Sequence, residues 1–179
     1  MPENIPFEQS LATSVEGIVL EKTRDRLLAL ALPAIGERVY IQKLPWLYDE
    51  TLVLTPCAIV SPAPETTAWQ EGSNESDDTI LAVLITLVLA NGLDVTTKGM
   101  GLHLAWRQTL RRRFINKSRL TWSDLANGID NYNGGDGTRF IHAWIESGDK
   151  FIELAKREQR DASYYLLRVR VREPRETDS

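Results

Sequence analysis

The stretch Thr79–Ala90, TILAVLITLVLA, carries no charge, glycine or proline, and its reading decides the fold. As a strand it points Ile80, Ala82, Leu84, Thr86 and Val88 one way and Leu81, Val83, Ile85, Leu87 and Leu89 the other. Both faces are then apolar, which fits a central strand covered on both sides or a buried helix. The β-branched residues favour the strand. Asn91-Gly92 is a hairpin-turn signal leading into a further strand at Leu93–Thr97. The apolar run is also well short of the roughly 20 residues that span a bilayer, so a soluble chain is expected.

Upstream, the pattern predicts a helix from about Phe7 to Leu32. Ala12, Val15, Val19, Leu20, Thr23, Leu27 and Leu30 share its apolar face, while Glu21, Arg24, Asp25 and Leu28 lie on the other side. Pro33 stops it, and Ile35-Gly36 makes the turn out. Arg38–Leu44 alternates as a strand. Thr51–Leu54 could hold a short strand, and Cys57–Val60 reads as a buried one between Pro56 and Pro62. Residues 61–79 read as an exposed loop with Pro62, Pro64, Gly72 and Ser73. It carries Glu65, Glu71, Glu75, Asp77 and Asp78 and no basic residue.

Downstream, Gly99 and Gly101 open a second helix over about 102–115, whose buried stripe is Leu102, His103, Trp106, Leu110 and Phe114. Arg107, Arg111, Arg112 and Lys117 lie off that stripe, and Arg113 lies beside it. A polar loop, 120–138, precedes strands at Arg139–Glu146, Phe151–Leu154 and Tyr164–Arg172. The last alternates cleanly, with Tyr165, Leu167, Val169 and Val171 inward and Leu166, Arg168, Arg170 and Arg172 outward. The order helix, strands, helix, strands predicts an α+β fold: a mostly antiparallel sheet packed against two main helices, about 7–32 and 102–115. The chain is long enough for one domain over 1–179 and short for two.

Composition narrows the function. A net charge of -4 speaks against a protein that coats nucleic acid non-specifically. The single cysteine, Cys57, leaves no intrachain disulfide and no cysteine-based zinc site. The first ten residues hold Glu3 and Glu8 and no basic residue before an apolar run, so no secretory leader is expected.

No catalytic constellation is legible. Gly99-Met100-Gly101 lacks the third glycine of a nucleotide loop and the acidic residue that follows one, and reads as a flexible joint. Tyr132 breaks the ligand spacing that a calcium loop over Asp130–Gly137 would need. His103 and His142 belong to no metal motif and read as structural, and Cys57 lies in an apolar strand where a thiol is inert. Neither metal nor cofactor is expected, and the chain is read as a non-enzyme.

Charge layout says more. Residues 107–119 carry Arg107, Arg111, Arg112, Arg113, Lys117 and Arg119 and no acid. This is either the solvated face of an amphipathic helix or a binding surface, for nucleic acid passing nearby or for the acidic 61–79 loop of a neighbouring copy. A contact between two different patches of one chain closes into a ring when the rotation permits. Tryptophan is enriched at interface hot spots, and Trp69 falls inside the acidic loop. The interface candidates are therefore Arg107, Arg111, Arg112, Arg113 and Lys117 on one side and Trp69, Glu71, Asp77 and Asp78 on the other.

The layout resembles the tail-terminator, or tail-completion, proteins of tailed bacteriophages. The resemblance rests on an N-terminal helix followed by GERVYIQKLP (36–45), PCAIVSP (56–62), SDDTILAVLITLVLA (76–90), WRQTLRRRF (106–114) and YYLLRVRVREPRE (164–176). It implies an α+β virion subunit that forms a ring, usually of six, at the head-proximal end of the tail tube. There the ring would stop tube growth and prepare head–tail joining. The implied partners are other copies of the chain, the tail-tube protein, a head-completion or connector protein, and DNA passing through without sequence-specific binding. The implied place is the tail or neck of the virion, after assembly in the host cytoplasm, with no membrane contact, no cofactor and no catalytic residue. A head-to-tail connector (neck) protein is the nearest alternative. A small nucleic-acid-binding regulator using the 107–119 helix is a more distant one.

Overall fold

The computed structural model describes residues 11, 14–43, 54–67, 76–89, 97–112, 139–147, 152–154 and 160–174. Their order is α1 (Val15–Leu30), β1 (Val39–Ile41), β2 (Cys57–Thr67), β3 (Ser76–Leu89), α2 (Thr97–Leu110), β4 (Arg139–Ser147), β5 (Ile152–Leu154) and β6 (Arg160–Pro174). This is an α+β fold. The six strands form one sheet in the order β1-β2-β3-β6-β4, with β5 paired to β6. Only β1 and β2 run parallel; all other pairings are antiparallel.

The apolar stretch is a strand and lies centrally. β3 pairs with β2 from Thr67↔Thr79 to Cys57↔Val88, and with β6 from Ser76↔Pro174 to Leu89↔Asp161. Leu81, Val83, Ile85 and Leu87 join the main core with Ile18, Val19, Leu20 and Leu27 of α1 and Trp106 and Leu110 of α2. On the opposite face Val88 packs with Cys57, Ile59 and Ala162, against Tyr40. The turn expected at Asn91-Gly92 and residues 93–96 of the expected Leu93–Thr97 strand lie outside the described residues, and Thr97 is helical.

The acidic loop is shorter than the sequence implied. Residues 61–67 continue β2 and 76–79 begin β3, which leaves 68–75 outside the described residues. Pro62 and Pro64 suggested a loop because proline lacks a ladder N–H. β2 tolerates them because β1 covers it only over Ala58–Val60, and a bulge between Ala63 and Thr66 absorbs Pro64 and Glu65.

Helix α1 starts at Val15, later than the Phe7 expected. Ser14 is extended and its hydroxyl accepts the Gly17 N–H at 3.0 Å, a capping bond. A Cβ on Gly17 would lie 1.8 Å from the Leu11 carbonyl oxygen, so the chain at Leu11 closes against the helix only because residue 17 is glycine. Residues 7–10 lie outside the described set. At the other end Ala31, in the left-handed region, donates to the Leu28 carbonyl and ends the helix before Pro33. Leu28, assigned to the polar side, packs on the core instead.

Helix α2 begins at Thr97 rather than 102, so Gly99 and Gly101 are helical and not a joint. Its regular part ends at Leu110, and 113–115 lie outside the described residues. So do the polar loop 120–138 and most of the possible Thr51–Leu54 strand, of which exposed Leu54 is not in a strand. β1 is shorter than expected, β4 extends to Ser147, and β6 is much longer than Tyr164–Arg172, running from Arg160 to Pro174. No helix among the described residues is long and apolar enough to cross a membrane.

Ile85 and Leu87 are fully buried between β3 and the helices. Replacing either with Ala should cost about 2–5 kcal/mol in urea unfolding with an unchanged m value. A loss below about 1 kcal/mol at both sites would show that this face is not the core.

Candidate interaction surfaces

Two charge clusters flank the sheet, and the structure changes the membership of each. At one end of the β3–β6 ladder Asp78 pairs with Arg172, and Arg170 lies one pair along on the same face. The Asp78 side chain is completely buried. Arg172 Nε donates to its Oδ1 at 2.6 Å, Arg172 Nη2 to Oδ2 at 3.0 Å and Arg170 Nε to Oδ2 at 2.9 Å, and Arg170 Nη2 donates to Oδ2 as well. These contacts hold the Asp78 carboxyl below its ordinary value of 3.8. The hydrogen bond from Arg172 is the largest cause; burial opposes it, and the bond and charge of Arg170 assist. A carboxylate engaged in this way is a tie between strands and is unavailable to a neighbouring copy. Asp78 therefore leaves the interface candidates. One pair further along, Arg168 Nε meets Glu146 of β4 at 2.9 Å.

The second cluster is on α2. Arg107, expected off the buried stripe, is only 6% exposed. Its guanidinium lies 4.2 Å from the centre of the Tyr165 ring, and Nη1 donates to the Tyr164 carbonyl at 3.3 Å. The Tyr165 hydroxyl donates to the Arg107 carbonyl at 3.3 Å. One turn earlier, buried His103 meets Ser163 Oγ through Nδ1 at 3.3 Å and the Trp106 ring edge-on, with centroids 5.1 Å apart. Trp106 Nε1 donates to the Pro33 carbonyl at 2.7 Å, linking α2 to the turn after α1. Arg107 thus anchors the helix to β6 and drops out of the interface set. Nothing in its sequence spacing marked this, because the partner is a strand 57 residues on.

Of the remaining candidates, Arg111 and Arg112 are exposed and Asp77 is half-buried, while Trp69, Glu71, Arg113 and Lys117 lie outside the described residues. The structure adds two residues the sequence did not single out. Met100 and Leu104, one helical turn apart on α2, are 42% and 43% exposed. Starting the helix at residue 102 had left Met100 in a turn and hidden the pairing.

The two clusters are far apart. Arg107 touches β6 at Tyr164 and Tyr165, whereas Ser76 pairs with Pro174. Nine residues of strand separate Tyr165 from Pro174, about 30 Å at 3.3 Å each. Four more residues of helix bring Arg111 at most about 6 Å nearer. The acidic end of the β2–β3 pair and the basic end of α2 therefore remain about 20 Å or more apart. Among the described residues no group of three or more His, Cys, Asp or Glu side chains could hold a metal ion, and Cys57 is fully buried.

Because the folded-state pKa of Asp78 is depressed, its stabilisation is complete above the ordinary carboxylate range and is lost as pH falls through the folded value. Asp78→Asn should lower Tm by about 6 °C or more at pH 7, and the deficit should shrink below about pH 4. A deficit independent of pH would show that the charge is not what matters. By the same reasoning, Arg107→Gln should lower Tm, whereas the joint change of Arg111, Arg112 and Arg113 to Gln should leave it within about 1 °C, as measured by circular dichroism.

No described protein family matches the chain, and no characterised protein matches its sequence. Among solved structures the chain is similar to one in a structure described as "Virion of native gene transfer agent (GTA) particle". The identity is 16%, the alignment covers 91% of this chain and 98% of that chain, and the TM-score is 0.47. At that identity and score the likeness says nothing of what this chain does.

Proposed function

We propose that this chain is a structural virion protein of a tailed phage or phage-like particle. Its single domain acts as one subunit of a ring at the head-proximal end of the tail tube, ending tube growth and preparing the head–tail joint. The observation that carries the reading is a pair of exposed arginines, Arg111 and Arg112, at the end of α2 in a chain whose 61–79 stretch holds five acids and no basic residue. Two complementary patches of one chain can match each other between copies. Such a contact is heterologous, and when its rotation closes it gives a ring. The layout of the sequence agrees with that of tail-terminator subunits, which implies six copies, contacts to tube and connector proteins, and DNA passing through unread. The work is assembly, without catalysis or cofactor, and its place is the tail or neck of the particle.

Light scattering and negative-stain imaging of the purified chain should reveal rings, formed either alone or only on added tail tubes. Rings that bind tail-less capsids and ignore tubes would move the reading to a neck connector. A strict dimer with tight, sequence-selective DNA binding would overturn it.

A further inference from the structure

We infer that the turn between α1 and β1, residues 31–38, is a strained latch that couples the seating of α2 to the closure of the β1–β2 edge. Three residues of this turn have left-handed backbone: Ala31 at φ 45°, Ala34 at φ 64° and Gly36 at φ 57°. Glycine takes that conformation freely, whereas in alanine the Cβ crowds the following carbonyl oxygen. Ala31 closes α1, a place where left-handed residues recur. Ala34 ends no helix and stands exposed, so its conformation is imposed from outside.

The outside hold acts on three consecutive carbonyls. That of Pro33 accepts from Trp106 Nε1 of α2 at 2.7 Å. Those of Ala34 and Ile35 accept from Arg38, the latter from Nε at 3.3 Å. Arg38 Nη1 reaches on to the Thr55 carbonyl at 3.2 Å, just before β2, and the Arg38 carbonyl accepts from the Ala58 amide at 3.0 Å. Leu32 and Ile35, each 1% exposed, pin the same turn into the core. The turn is thus held by α2 on one side and by the start of β2 on the other. A residue kept in a costly conformation by its surroundings persists only while they over-determine it. Losing the Trp106 bond lets Ala34 relax, which moves the carbonyls that orient Arg38 and weakens its reach to Thr55. The same contacts act in reverse, because a coupling free energy is reciprocal. A load on α2 is therefore felt at the edge strand β1.

Amide hydrogen exchange on the full chain, followed by NMR, tests the coupling. Rates are compared with those of the β3–β6 amides, which report global opening. Trp106→Phe keeps an aromatic ring and removes the donor. It should speed exchange about threefold or more, relative to that reference, at Ile35, Gly36 and Arg38, whose amides bond within the turn, and at Ala58 across the edge. Arg38→Gln should do the same to the α2 amides from Leu104 to Leu110. Ala34→Gly relieves the strain on an exposed residue. It should slow exchange both in the turn and in α2, and should restore protection when added to Trp106→Phe. If Trp106→Phe does not fold, Arg38→Gln and Ala34→Gly decide alone. Exchange that changes only beside each substitution would show separate contacts and overturn the coupling. A change shared equally with β3 and β6 would show a plain shift in stability and overturn it as well.

Discussion

From Thr79 to Val88 both edges of β3 are occupied, by β2 on one side and β6 on the other, and both of its faces carry apolar side chains. A strand so placed has no freedom to slip, because a shift of one residue would exchange its two faces. The rest of the structure follows from that fixed register. It sets Leu81, Val83, Ile85 and Leu87 under the helices, and it brings Tyr165 of β6 to the position where Arg107 covers it. It also carries Asp78 to the one point on the ladder where Arg170 and Arg172 converge.

The Asp78 contact reinforces the register. Burying a carboxylate costs several kcal/mol, and partners at good distance do little more than offset that cost. Its value lies in what it forbids. In the observed register Asp78 faces the side of the sheet where Arg168, Arg170 and Arg172 project, away from the helices. Slipping by one residue would turn it to the face of the sheet that carries the main core, away from Arg168, Arg170 and Arg172. Apolar burial supplies the bulk of the stability, and this ionic tie makes one alignment of β3 and β6 far better than its neighbours.

Where the sequence was legible, local chemistry and the fold pointed the same way. The two-faced apolar run at 79–90 and the clean alternation of β6 each specify their own environment without reference to distant residues. The errors have a common source in long-range pairing. Pro62, Pro64 and five acids made 61–79 look like a loop, because nothing nearby says that β1 leaves part of β2 uncovered or that arginines 92 and 94 residues on receive Asp78. Arg107 looked like one of a row of surface cations, and only Tyr165 across the sheet draws it inward. Asp78 and Arg107 were thus assigned to surfaces because the strand that draws each of them in lies far away in the sequence.

Asp78 and Arg107 serve the fold itself, one as a tie between β3 and β6 and the other as a tie between α2 and β6. A protein that needed its acidic and basic regions only for folding would let them meet, because an internal pair avoids the entropic cost of association. Here the fold does so for Asp78 with Arg170 and Arg172, and leaves Arg111 and Arg112 exposed at the end of α2. Arg111 and Arg112 stand exposed at the end of a helix that also exposes Met100 and Leu104, while Arg107 on its other side is held against Tyr165 of β6.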